Sequence, residues 1–175
     1  MRSKAYGLIY LLLSIAAVLI VLKTLNWLPT MLQKDMMRRF NSLDEVQSKL
    51  NMRELHVPSY FPQSIMWPPS EILAQAKPYP AVLMIFKDVN TRAYALVISQ
   101  GESDAFSANT LIPFVHVTEK VPVDLKTRKA LLEVGTCKDD EPCSRLSWTE
   151  DKFRTVITMK SQPFEVIRIA ESMLH

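Results

Sequence analysis

Residues 5–22 read AYGLIYLLLSIAAVLIVL, eighteen positions without a charge. At about 1.5 Å per residue a helix over them would reach roughly 27 Å, close to the ~30 Å hydrocarbon core of a bilayer. The stretch therefore predicts an N-terminal transmembrane helix within an anchor of residues 1–28. Lys23 can extend to the headgroups and Trp27 suits the interface. The competing reading is a cleaved signal peptide, whose basic start Arg2 and Lys4 would supply. Against it, Val21, Leu22, Thr24 and Leu25 are large where a cleavage site takes small residues.

Charge is unevenly placed along the 175 residues. Residues 1–41 hold six basic side chains against Asp35 alone, while the rest holds fifteen basic and seventeen acidic. Basic character at the membrane end favours lipid headgroups as partners, and the rest has no basic stripe with interleaved aromatics of the kind nucleic acid requires. The flanking charges do not orient the anchor, since Arg2 and Lys4 stand against Lys23, Lys34, Arg38 and Arg39. The basic-then-apolar order and the short N-terminal stub favour a bacterial inner-membrane anchor with the C-terminal domain in the periplasm.

Two cysteines, Cys137 and Cys143, bracket the polar insert KDDEP. A disulfide closing a surface turn is the preferred reading and implies an oxidising compartment, with two free thiols as the alternative. Cys-x5-Cys is not a usual zinc spacing. Only three glycines occur, too few for a phosphate-cradling loop. No cofactor or metal is expected.

Along the chain, Pro29 ends the anchor, and Thr30 followed by Gln33 predicts a helix from Met31. Its apolar face carries Leu32, Met36 and Phe40 and its basic face Lys34, Arg38 and Arg39. Residues 29–41 thus read as a juxtamembrane amphipathic helix, with Trp27, Lys34, Arg38 and Arg39 at the membrane interface, or equally as a continuation of the anchor helix into solvent. A domain spans 42–175. Ser42 and Glu45 form a capping box opening a helix from Leu43 to about Glu54, with Leu43, Val46 and Leu50 facing inward and Glu45–Lys49 paired outside. A proline-stiffened segment then holds Tyr60, Phe61 and Trp67, read either as an irregular wrap over a sheet edge or as an aromatic partner surface. Pro68 opens a short helix to about Ala76.

From Ala81 the period changes to that of strands. Expected strands cover 81–86, 93–100, 113–123, 128–134, the region of Leu146 and Trp148, and Phe153–Met159 after a turn at Glu150–Lys152. Pro163 opens a last helix with Val166, Ile169, Ala170 and Met173 on one face. The expected fold is α+β: a transmembrane helix, then a curved antiparallel sheet of about six strands with packed helices.

The closing stretch has a tryptophan, Trp148, a polar turn, an alternating strand and a helix reading FEVIRIAESM. This pattern resembles the end of membrane-anchored extracytoplasmic bacterial domains related to the lipoprotein carrier and the anti-sigma regulators. It covers about 30 residues. The resemblance implies a half-barrel sheet and an extracytoplasmic location, and it carries over no functional residue.

The three histidines, His56, His116 and His175, suggest neither a triad nor a metal site, and Asp139–Glu141 reads as a solvated loop tip. The expectation is a non-enzymatic accessory subunit that binds an integral membrane protein complex. The alternatives are a lipid- or lipoprotein-binding periplasmic chaperone, using Leu83, Ile85, Leu96 and Ile98, and an envelope regulator. For the last, the four residues ahead of the apolar stretch leave no room for a cytoplasmic effector.

Overall fold

The structure is a computed structural model. It describes residues 14, 15, 17, 18, 21, 23, 37–50, 52, 55–102, 111–126 and 128–174. The chain divides into two compact units, Met1–Met37 and Arg38–His175. In the first, Ser14, Ile15, Ala17, Val18, Val21 and Lys23 are helical and exposed.

The second unit opens with β1 (Arg38–Phe40) and α1 (Leu43–Leu50), then runs β2 (Glu71–Gln75), β3 (Ala81–Lys87) and β4 (Tyr94–Gly101). It continues with β5 (Phe114–Leu125), β6 (Arg128–Cys137), β7 (Pro142–Glu150), β8 (Phe153–Met159) and α2 (Pro163–Met173). All eight strands join one antiparallel sheet in the order β1-β2-β3-β4-β8-β7-β6-β5. It consists of two four-stranded meanders fused where β4 meets β8.

The expected fold is corrected on two points. The described chain is mostly a single eight-stranded antiparallel sheet with two short helices, not an α+β domain with about six strands. No helix among the described residues is long and apolar enough to cross a membrane, and most of the 5–22 stretch lies outside them. The two additional strands come from segments expected to be helical. Residues 38–40 pair with β2, and 71–75 pair with β3 in a register placing Ile72 opposite Met84 and Ala74 opposite Val82. Burial of Phe40, Ile72 and Ala74 on one face outweighs the local capping signals. The second unit accordingly begins at Arg38, ahead of the expected boundary at 42. The rest of the expected 29–41 helix, residues 29–36, lies outside the described residues.

The core lies on one face of the sheet. Met84, Phe86, Leu96, Ile98, Leu146, Ile157 and Met159 pack there with Val166, Ile169, Ala170 and Met173 of α2, and with Val46 of α1. The α2 stripe is the one that its sequence period predicts. Burying an aliphatic side chain of this size stabilises the fold by roughly 1.5–3 kcal/mol. Helix α2 starts on Pro163, whose missing N–H leaves no orphan donor, and beyond its end the Lys126 ammonium donates to the Leu174 carbonyl. At α1 the Ser42 hydroxyl accepts from Glu45 N–H (3.2 Å), and the Glu45 carboxylate accepts from Asn41 N–H (3.0 Å) and from Lys49 (2.7 Å). The described helix ends at Leu50, and the expected end at Glu54 lies outside the described residues.

Cys137 and Cys143 form a disulfide, their Cα atoms 5.6 Å apart, across the turn that joins β6 to β7. Closing so short a loop contributes about 2 kcal/mol. Next to it, β5 bulges between Phe114 and His116 and between Val117 and Glu119. The bulges press the His116 carbonyl and the Val117 backbone onto Gly135 of β6, where a Cβ would collide with the His116 carbonyl oxygen. Backbone on both sides of the contact cannot rotate away. Gly135→Ala is therefore expected to destabilise the domain by about 1–3 kcal/mol in denaturant unfolding. An unchanged midpoint would show that β5 does not approach β6 this closely.

Candidate interaction surface

The proline-rich segment is tied to the sheet by its backbone. Met66 N–H donates to the Lys87 carbonyl (2.8 Å), Val89 N–H to the Ser64 carbonyl (2.8 Å) and Ser70 N–H to the Ile85 carbonyl (2.8 Å). Ile65 and Asp88 form an isolated antiparallel bridge. The turn opposite is held by Asp88, whose carboxylate accepts from the N–H groups of Thr91 and Asn90 (both 2.8 Å) and stays below its ordinary pKa for that reason.

This anchoring sorts the three expected partner residues. Tyr60 and Phe61 are neighbours in the chain but meet different partners. Phe61 and Trp67 join a three-ring cluster: Phe61 lies 4.9 Å from Trp67 and 5.1 Å from the buried Phe86, and Trp67 lies 6.3 Å from Phe86. Trp67 itself remains 56 % exposed. A large ring resting on a fixed aromatic base, with its outer half in water, is an anchor of the kind protein interfaces bury.

Tyr60 instead meets α2. Its hydroxyl donates to Glu165 (2.9 Å), and its backbone N–H donates to the Ser172 hydroxyl (3.3 Å). Burial first, then the bond to Glu165, pushes the Tyr60 phenol above its ordinary pKa. The Arg168 guanidinium lies 4.0 Å from the Tyr60 ring centroid and 5.4 Å from that of Phe164, a ring 63 % exposed. Phe164 and Arg168 were not among the expected site residues. The signal lay in the last helix, where Phe164 falls off the inward stripe of Val166, Ile169, Ala170 and Met173 and so stands on the outer face.

The expected membrane-interface residues separate. Trp27 and Lys34 lie outside the described residues. Arg38 and Arg39 are exposed on β1, and Arg39 pairs with Glu71 of β2 at 2.6 Å. The four residues expected to line a lipid site do not share a face. Leu96 and Ile98 point into the core, whereas Leu83 and Ile85 lie on the opposite face with Val97 and Ser99. Farther along that opposite face the row turns polar. Glu133 bridges Lys120 (2.6 Å) and Arg145 (3.2 Å), and Arg145 stacks 4.4 Å from the Phe114 ring. Burial works to raise the Glu133 carboxyl, but the two cations hold it below its ordinary range.

A cleft of about 170 Å³ at the end of the core face is lined by His56, Gln100, Glu150, Asp151, Phe153 and Thr155. Two of its polar side chains are engaged: the Gln100 amide exchanges two hydrogen bonds with the His56 backbone, and Glu150 pairs with Arg128. His116 is exposed on the edge strand β5, and Glu141 pairs with Lys160 at 2.6 Å. Among the described residues no three His, Cys, Asp or Glu side chains gather as metal ligands. No protein-family model, curated protein or solved structure matches the chain.

The Arg39 hydrogen bond, and with it that of the Tyr94 hydroxyl, lowers the Glu71 pKa below its ordinary 4.5. A depressed carboxylate pKa gives stability that is present above the ordinary value and lost as pH falls through the folded value. The stability gap between the native chain and Glu71→Gln should therefore narrow between about pH 6 and about pH 3, measured by urea unfolding. A gap independent of pH would show that Glu71 has the same pKa folded and unfolded.

Proposed function

We propose that the chain is a non-enzymatic accessory subunit of a bacterial inner-membrane protein assembly, attached through its apolar N-terminal sequence, with the sheet domain in the periplasm. The observation that carries the reading is Trp67, more than half exposed on a ring cluster fixed to the core. Exposed indole costs hydration free energy unless a partner covers it, and a rigid anchor loses little side-chain entropy on docking. The membrane attachment is supported by the uncharged 5–22 stretch and by the exposure of Ile15, Val18 and Val21. The oxidising compartment is supported by the Cys137–Cys143 disulfide.

The partner is a membrane protein: large, strongly exposed rings such as Trp67 and Phe164 are what protein interfaces cover. The test is gentle detergent extraction from native membranes, followed by affinity capture and size analysis. The chain should copurify with an integral membrane protein, and Trp67→Ala should lower that partner's retention about tenfold or more while the domain stays folded and loses only the ring contact, about 1 kcal/mol in denaturant unfolding. A clean monomer, or retention indifferent to Trp67→Ala, would contradict the reading.

A further inference from the structure

Arg168 stands between two rings, 4.0 Å from the centroid of Tyr60 and 5.4 Å from that of Phe164. The neighbouring carboxylate of Glu165 is taken by the Tyr60 hydroxyl. Among the described residues no carboxylate lies within ion-pair distance of Arg168, so its planar fork of donors faces solvent. Ring contacts hold the guanidinium in place without using its N–H groups, which leaves the fork preorganised for a planar, two-oxygen acceptor. Phe164, 63 % exposed, adds an apolar contact beside it.

Resting on the accessory-subunit reading above, we propose that the Tyr60–Arg168–Phe164 cluster docks a partner-protein segment in which an acidic side chain sits beside a large apolar one. The carboxylate would accept two parallel hydrogen bonds from Arg168, and the apolar side chain would cover Phe164. Charge complementarity selects a discrete carboxylate over an anionic bilayer. Helix α2 carries Glu165 and Glu171 against the single Arg168, so its outer face is on balance repelled by a negative surface.

The full chain in detergent micelles is titrated with fluorescein-labelled heptapeptides placing glutamate beside leucine, phenylalanine or tryptophan in both orders, each with its glutamine twin. At least one glutamate peptide should bind about fivefold tighter than its twin, the scale of a partly exposed ion pair, and the ratio should fall with added salt. Arg168→Gln should abolish the ratio, Arg168→Lys should keep only part of it, and Trp67→Ala should leave it intact. Equal binding of twins, absence of binding, or a ratio surviving Arg168→Gln overturns the proposal. So does Arg168-dependent binding to phosphatidylglycerol vesicles in place of peptide. In the membrane capture experiment, partner loss with Trp67→Ala but not with Arg168→Gln would sink this inference and keep the accessory-subunit reading. A glutamate preference in a chain that copurifies with nothing would sink that reading and leave the peptide site standing.

Discussion

Six cross-strand pairs between β4 and β8, from Leu96 opposite Met159 to Gly101 opposite Arg154, make one sheet out of two meanders. Each meander alone has local pairing, but neither has a face wide enough to bury itself. Once β4 lies against β8, Leu96 and Ile98 line up with Ile157 and Met159, and α2 covers the same core face from the C-terminal meander, packing over β7, β8 and β5. The chain must travel from the end of β4 to the far edge at β5 before this pairing closes. That makes the central pair a non-local one, formed against a loop-closure cost. The edges are left to two different devices. β1 is only three residues long, and β5 carries bulges, Pro122 and charged side chains, all of which discourage another chain from pairing there.

The face that α2 seals also positions the exposed aromatics. Phe86 belongs to β3 and is wholly buried, yet its ring reaches Phe61 and Trp67 outside the sheet. Tyr60, next in chain to Phe61, reaches α2. One proline-stiffened segment thereby presents two separate ring surfaces, both built on core elements. The segment's backbone packs on the sheet as a wrap, while Trp67 is left exposed outside it.

Where the sequence carried a long period, the elements were legible. The last helix, β3, β4, β6, and the β7–β8 hairpin with its turn at Asp151 and Lys152 sit where their patterning put them. The disulfide followed from the polar insert between its cysteines. Helices were expected at 38–40 and 71–75 because capping residues and prolines signal locally, whereas these strands are made by partners distant in sequence. A three-residue strand has no period of its own to read. The pairing of Tyr60 with Glu165 and Arg168 spans more than a hundred residues and leaves no trace in spacing, whereas the place of Phe164 on the outer side of an amphipathic helix is legible from the helical period.

Trp67 can act as a rigid anchor only if the aromatic segment belongs to the same cooperative unit as the sheet. Amide hydrogen exchange with site resolution tests this directly. The N–H groups of Ile65 and Met66, which donate to Pro62 and Lys87, should exchange as slowly as those of β3, β4 and β8, through a single global opening. Fast exchange at Ile65 and Met66 under conditions where β4 and β8 remain protected would show that the segment lifts off alone, and the rings would then have no fixed platform from which to bind.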